Sequence, residues 1–241
     1  MAWLGVPLDT LDKRPRANAN AEEDDNFTQS LTNLQFSYSP NDNSVFNASL
    51  YYNYLDGNYD FDFNNFLGLP STDELYNYAF HSHFGGFFAT YTLDSDRLKW
   101  TSGIHGNLYG RRHTGSEASL GELYVNTGFK NSASAFSKIA YSAGKLKLFA
   151  DVQFRHTNFS YRGNTSLDPF FWNFLNPKIG VTYSFNDHVL LFYNLGKTSR
   201  EPTRTDLFGG NDDLLEDDLG NPILFISNPE RVIDHELGLK I

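Results

Sequence analysis

Three stretches of this chain alternate apolar and polar side chains with period two, and that alternation constrains its fold more tightly than any other feature. In "RLKWTSGIHGNLYG", Leu98, Trp100, Ile104 and Leu108 fall on one face, with Lys99, Thr101, His105 and Asn107 on the other. "KLKLFADVQFRHT" sets Leu146, Leu148, Ala150, Val152 and Phe154 against Lys147, Asp151, Gln153 and Arg155. "VFNASLYYNY" sets Phe46, Ala48, Leu50, Tyr52 and Tyr54 against Asn47, Ser49 and Asn53. Successive side chains of a strand point to opposite faces, so each stretch is a strand with one greasy face and one wet face. Two folds accept such strands: a soluble β-rich protein that covers the greasy face with a second layer, or a membrane barrel that turns it to lipid.

The connections discriminate between them. Tight polar turns are expected at "SPNDN" (39–43), "LDSDR" (93–97), "SAGK" (142–145) and "FNDH" (185–188), and long loops between them near 57–76, 111–124, 162–172 and 200–230. Short turns at one end and long loops at the other are the habit of outer-membrane barrels, whose long loops are extracellular. A soluble meander has no reason to keep its long loops at one end. Aromatic residues collect at both strand ends, as two membrane interfaces favour. On the short-turn side they are Tyr38, Tyr91, Trp100, Tyr141, Tyr183 and Phe185; on the long-loop side, Tyr52, Tyr54, Tyr59, Tyr78, Phe159, Tyr161 and Trp172.

Composition agrees. Aromatics make up 16% of the 241 residues while the mean hydropathy is only -0.46, which suits half-wet strands. The formal charge of -10, without any basic stripe, excludes a general nucleic-acid binder, because phosphate neutralisation needs clustered Lys and Arg. The absence of cysteine removes disulfides and thiolate metal sites. No apolar run approaches the roughly 18 residues of a membrane helix, and the N-terminus lacks the basic-then-apolar pattern of a secretory signal.

Strands are expected at 27–39, 44–57, 77–93, 97–110, 124–142, 146–161, 173–185, 188–199 and 231–241. The predicted fold is therefore all-β, with about nine antiparallel up-and-down strands forming an arc of a transmembrane β-barrel. Residues 1–26 are expected to be an extracellular loop-like segment and 27–241 the partial barrel. Single-chain bacterial barrels close with an even number of strands, and the last strand is still alternating at Ile233, His235, Leu237, Leu239 and Ile241. A fragment is the expectation.

The residues also resemble a family. "FLNPKIGVTYSFNDHVLLFYNLGKTSREPTRTDLF" followed by "NPERVIDHELGLKI" resembles the late barrel of TonB-dependent outer-membrane receptors. There a Pro-Lys strand, a hairpin, Arg-Glu-Pro, a long loop, Pro-Glu and Glu-Leu-Gly recur in this order. "AWLGVP" and "NFTQSLTNLQFSYSPNDNSVFNASLYYNYLDGNYDF" are similar to the middle barrel of Bacteroidetes-type members. The resemblance implies a barrel of about 22 strands occluded by an N-terminal plug. It further implies residence in the bacterial outer membrane and uptake of a scarce ligand with energy passed through TonB. The small-molecule ligand would be an iron chelate, haem, cobalamin or oligosaccharide, with an iron–siderophore complex expected first. TonB would be met through an N-terminal part that is missing here, and the remaining partner is outer-membrane lipid. In the family motif, Arg200, Glu201, Pro202, Pro229, Glu230, Glu236, Leu237 and Gly238 have structural roles. Pro202 ends a ladder because it lacks an N–H, and Glu201 is expected to pair with Arg200 and Arg204 within the wall.

Several residues could carry chemistry. His81 and His83 are placed in the lumen, with Phe80, Phe84 and Phe88 outward, and His105 on the same lumen face. An i, i+2 histidine pair can chelate a metal, although two ligands are few and hydrated lumen histidines are the plainer reading. Arg111, Arg112 and His113, at the extracellular end of a strand, could meet an anionic ligand, since Arg binds carboxylates bidentately; lipopolysaccharide phosphates are an alternative. The loop after Arg-Glu-Pro carries seven acids between Asp206 and Glu230 without a Lys or Arg. Its Asp212, Asp213, Asp217 and Asp218 could face a cationic or metal-bearing ligand, or be simply solvated. No nucleophile motif or phosphate loop occurs, so no enzyme and no cofactor is expected. Two other functions share some of these features: a soluble or surface-attached glycan-binding module stacking sugars on "LYNYAF" and "DPFFWNF", and a passive porin-like channel.

Overall fold

The computed structural model describes residues 8–15, 23–70 and 75–241. A six-residue helix, α1 (Leu8–Lys13), precedes nine strands: β1 (Asp25–Asn41), β2 (Ser44–Asp62), β3 (Leu75–Asp94), β4 (Leu98–Glu117), β5 (Gly121–Ala143), β6 (Leu146–Arg162), β7 (Phe170–Ser184), β8 (Leu190–Arg200) and β9 (Glu230–Lys240). A single turn of helix, α2 (Phe63–Phe66), follows β2, and α3 (Arg204–Phe208) follows β8. The strands form one antiparallel sheet in sequence order, with β1 and β9 at its open edges. Every strand has at least 11 residues, enough for a tilted crossing of a bilayer. The "AWLGVP" motif lies outside the described residues, as does most of the 1–26 segment and part of the 57–76 loop.

Because side chains of directly paired residues share a face, the register assigns both surfaces. Leu50, Phe87, Ala133 and His156 lie in one cross-strand row with Gly106, and Ala48, Ala89, Ile104, Ala135, Phe154 and Leu175 in the next. Leu50, Phe87, Ile104, Leu108, Ile139, Val152, Phe154, Leu175 and Ile179 are all exposed on this surface. The opposite surface carries Lys99, His105, Lys130, Ser134, Lys138, Asp151, Arg155, Lys178, Asp234 and Glu236. Unlike a globular protein, the chain buries few of its apolar side chains. It exposes 15949 Å², against about 11,000 Å² for a compact protein of its 27.4 kDa. The apolar surface is the lipid face and the polar one the lumen face.

The expected aromatic belt on the short-turn side holds: Tyr38, Tyr91, Trp100, Tyr141 and Tyr183 all lie on the lipid face by register, with Tyr91 and Trp100 edge to face at 5.9 Å. On the long-loop side only Tyr52 and Tyr54 do so. Tyr59, Tyr78, Phe159, Tyr161 and Trp172 point into the lumen, and the last three belong to the buried core.

The long loop expected at 111–124 is a three-residue connection instead, since β4 runs to Glu117 and β5 begins at Gly121. Glu117 accepts from the backbone N–H groups of Ser119 and Leu120 and from the Ser119 hydroxyl, which closes the turn. "RRHTGSE" has weak strand propensity by itself; pairing across to β3 and β5 holds it extended. The other long connections stand, but each is shorter than expected at the strand ends: β2 continues past Gly57 to Asp62, and β7 starts at Phe170.

Several glycines sit directly across from an aromatic ring. A Cβ at Gly106 would lie 2.7 Å from the Phe87 ring, and Gly180 under Phe149 and Gly238 under Phe192 are equally occluded. The ring fills the space of the missing side chain and restores cross-strand packing.

Candidate ligand-binding site

The buried core lies at the long-loop end of the lumen face, and the segment after β8 makes it. Thr203 caps α3 by accepting from the Asp206 N–H, and Asp206 accepts back from the Thr203 N–H in a capping box. Gly209, at φ 63°, turns the chain out of the helix in a left-handed conformation that suits glycine. That single turn of helix presses Leu207 and Phe208, both essentially inaccessible, onto Phe159, Tyr161, Trp172 and Phe174, with Leu167 and Leu214 beside them. Phe208 meets the Tyr161 ring edge-on at 5.3 Å. The 201–229 loop is therefore a folded cover on the inner wall.

Its anchor is Glu201, which is buried. The Lys130 ammonium lies 2.7 Å from one carboxylate oxygen, and the Arg155 guanidinium donates to the other. Burial pushes the Glu201 carboxyl up, but the bonds from Lys130 and the nearby Arg155 outweigh it, leaving the group below the usual glutamate range. The expected pairing of Glu201 with Arg200 and Arg204 is not formed. Arg200 pairs instead with Glu230, its direct partner across β8 and β9, because an exposed strand-end pair sets those two side by side. Of the other motif residues, Pro202 is buried beside the pocket, Glu236 accepts from Asn194, Leu237 is exposed on the lipid face, and Gly238 lies under Phe192. Pro229 immediately precedes β9.

Between this cover and the sheet lies a pocket of about 420 Å³ lined by Phe80, Tyr109, Arg111, His113, Lys130, Arg204 and Asp212, among others. Arg111 stacks over Phe80 and Tyr109 at 5.4 and 5.8 Å, and His113 meets Phe80 edge-on. Arg204 donates to the Asn126 side chain and the Asp212 carbonyl. Burial pulls the Arg204 guanidinium down from its usual range, though arginine stays charged at any ordinary pH. Three buried nitrogens around this pocket have no hydrogen-bond partner: Arg111 Nε, His113 Nδ1 and Arg204 Nε. A buried donor without an acceptor costs roughly 1–3 kcal/mol, so an acceptor-rich group in the pocket would relieve both guanidinium nitrogens, and His113 Nδ1 as well in the tautomer that protonates it.

The predicted site residues are thus divided. Arg111 and His113 join in the pocket, but Arg112, one residue away, points to the lipid face, as alternation requires. His81 and His83 are likewise on the lipid face, and it is Phe80, Phe84 and Phe88 that face the lumen: His83 bonds the Tyr52 hydroxyl, and Asp56 bonds His81, all on the exposed apolar surface. The aromatic-outward assumption fails here because the lumen wall near the pocket is itself aromatic. His105 is in the lumen, bonded to Tyr51 at 2.7 Å, eight residues down β4 from His113 and away from the pocket.

The loop acids are used locally. Asp212 lines the pocket, and Asp213 accepts from Tyr161 and Asn126. Asp217 accepts from the backbone of Leu219 and Asn221 in an exposed turn, and Asp218 is exposed beside it. Among the described residues no three His, Asp or Glu converge as a metal site. The sequence did not single out Lys130 or Asn126, and it pointed to Arg204 and Glu201 only as partners of each other within the wall, not as a pocket residue and the anchor of the loop. Lys130 carried a signal once the hairpin register is known, since it shares the lumen face with Arg111; nothing in the local pattern tied Arg204 to the pocket.

A family profile described as "TonB dependent receptor-like, beta-barrel" matches residues 3–241. No curated protein matches the chain. Solved structures share its fold. The "Copper transporter OprC" superposes with a TM-score of 0.70 at 19% identity, covering 90% of this chain and 37% of that one. The ferric yersiniabactin uptake receptor FyuA from Yersinia pestis gives 0.62 at 14%, covering 88% and 33%. The Ferric-Catecholate import receptor Fiu from K12 E. coli gives 0.61 at 11%, covering 91% and 39%. The chain thus spans between a third and two fifths of each of these proteins.

Proposed function

We propose, from the premise that this chain belongs to the TonB-dependent receptor β-barrel family of the outer membrane, that it forms the ligand-facing wall of an uptake receptor for an anionic metal chelate, an iron–siderophore complex first. The observation that carries this reading is the cationic pocket under the 201–229 loop, with two unpartnered buried guanidinium donors, Arg111 Nε and Arg204 Nε, and the unpartnered His113 Nδ1 beside them. Carboxylate or catecholate oxygens of a chelate would accept from them, and Phe80 and Tyr109 would pack its rings. That the structural neighbours include a copper transporter and receptors for ferric yersiniabactin and ferric catecholates lends support. Energy coupling to TonB would pass through an N-terminal part of the receptor, and no catalysis is assigned.

A glycan-binding module is disfavoured because Trp172 and Phe174 of "DPFFWNF" are packed beneath the loop and cannot stack sugars. A passive channel shares the sheet and would be told apart by uptake that ignores energy supply.

The test is binding of ferric citrate and ferric enterobactin, with a ferric hydroxamate as the weakly charged comparison, to the receptor in outer-membrane preparations. Arg111→Ala with Arg204→Ala is expected to weaken retention of at least one anionic chelate tenfold or more and leave the hydroxamate unchanged. Equal loss for all three, or none, would sink the anionic-ligand reading.

A further inference from the structure

His81 and His83 have no part in the lumen pocket, yet the outer wall aims them at one point. Their rings stand nearly perpendicular, at 76° with centroids 4.9 Å apart, and the two Nε2 atoms are 3.0 Å from each other. Period two puts both side chains on the same face of β3, and the neighbouring strand β2 fixes how each ring is turned. Asp56, directly across from His81, lies 3.0 Å from its Nδ1, and the Tyr52 hydroxyl lies 2.6 Å from the Nδ1 of His83. An ionised carboxylate only accepts, so His81 Nδ1 carries the hydrogen and, in the neutral ring, Nε2 carries a lone pair. Tyr52 accepts as readily as it donates, which allows His83 the same tautomer. Two lone pairs then face each other, and a cation held between them removes the repulsion.

Metal-bound imidazoles have this arrangement, with one nitrogen on the ion and the other hydrogen-bonded to a carboxylate or another polar group. The separation selects among ions. With metal–nitrogen bonds of about 2.0–2.1 Å, two imidazole nitrogens stand about 2.9 Å apart at a right angle and about 3.3 Å apart at a tetrahedral angle. The observed 3.0 Å fits the right angle of a tetragonal ion, Cu(II) or Ni(II), better than tetrahedral zinc, and copper binds such nitrogen donors more tightly than nickel.

Room and access are present as well. A depression of about 590 Å³ opens beside both histidines, lined also by Tyr52, Gly85 and Arg112, and both histidines are exposed. Water can therefore fill the positions that two protein ligands leave open. His81 pairs with Arg112, which is twelve residues along β4 from Trp100 at the short-turn interface. Twelve residues of strand span about 41 Å, or about 30 Å along the membrane normal at a 40–45° tilt, against a hydrocarbon core of about 25–30 Å. The pair thus stands at headgroup depth, within reach of ions. Asp56 and Arg112 flank His81 from opposite sides in one row of the sheet, so the carboxylate offsets the charge of the guanidinium.

We propose that His81 and His83 bind one Cu(II) ion on the outer wall through their Nε2 atoms, with Asp56 and Tyr52 positioning the rings. The site lies on the opposite face of the sheet from the lumen pocket, so its outcome leaves the uptake reading untouched.

The test titrates the receptor, purified in detergent without a histidine tag, with Cu(II) alone, read by calorimetry and electron paramagnetic resonance. A tetragonal spectrum with two nitrogen donors is expected. His81→Gln and His83→Gln should each weaken binding of this ion at least tenfold. Asp56→Asn, which keeps both ligands, should weaken it about tenfold, the usual cost of losing a partner behind a ligating histidine. His156→Gln, at a solitary histidine bonded to Asn173, should leave it unchanged, and Zn(II) should bind at least tenfold more weakly. Undiminished copper binding in both His81→Gln and His83→Gln overturns the proposal, because the 3.0 Å contact is then an ordinary hydrogen bond between the rings. An equal loss in His156→Gln would show unspecific binding to surface histidines and overturns it too, and zinc binding as tightly as copper overturns the assignment of the ion.

Discussion

Glu201 ties the 201–229 loop to the wall through two cations from neighbouring strands, and Phe208 ties it through packing. Removing the carboxylate leaves Lys130 and Arg155 facing each other without compensation. Glu201→Ala should cost about 2 kcal/mol of local loop stability, the range of hydrogen bonds to charged groups, and speed hydrogen exchange of the α3 amides. The pH dependence follows from the depressed Glu201 carboxyl: its contribution is complete above the ordinary glutamate range and is lost as pH falls through the lower folded value. Exchange protection of α3 should therefore decline on acidification below about pH 4, and Glu201→Gln should flatten that decline. A profile identical in both proteins would remove Glu201 as the anchor. Phe208→Ala should cost about 3–5 kcal/mol, the usual loss for a buried Phe, and release the loop without changing the strand content seen by circular dichroism.

At the level of elements, the strands depend on rings laid over glycines as much as on alternation. Gly106→Val would put branched carbons where the Phe87 ring lies and should destabilise the folded protein by about 1–3 kcal/mol, the range for overpacking. Phe87→Ala in the same chain should recover part of that loss, because the two positions share one space. Additive losses in urea titrations of the detergent-folded protein would show that the ring and the glycine do not share that space. The β4–β5 connection teaches a related point. "RRHTGSEASLGEL" reads as a loop from propensity, yet both strands continue through it, because ladder hydrogen bonds from β4 to β3 and between β4 and β5 outweigh weak local preference. His113 enters the pocket only because β4 runs that far.

Across the whole molecule, the sheet is amphipathic from edge to edge, and its two faces should respond oppositely to charge. Ile104→Arg, on the exposed apolar face, should cost about 2–4 kcal/mol in a bilayer, whereas His105→Arg, the adjacent lumen residue, should cost little. Equal costs would mean that the faces are assigned wrongly.

The sequence by itself determined the architecture: period-two alternation, with turns and loops segregated to opposite ends, allows little but an up-and-down membrane sheet, and the number of strands and the short-turn aromatic belt follow directly from it. Arg111 and His113 were also legible as residues at a strand's extracellular end. What only the tertiary structure decided is which face each side chain takes where both faces are polar or aromatic. His81 and His83 went outward and Phe159, Tyr161 and Trp172 inward, because near the long loops the lumen wall is covered by the chain's own segment and the outer wall stands at headgroup depth. Hydrophobicity ceases to mark the lipid side there. The pocket itself joins Arg111 to Arg204, which lie 93 positions apart in the sequence; local sequence pattern acts over one strand or turn, and only the folding of the 201–229 loop onto β4, β5 and β6 brings the two together.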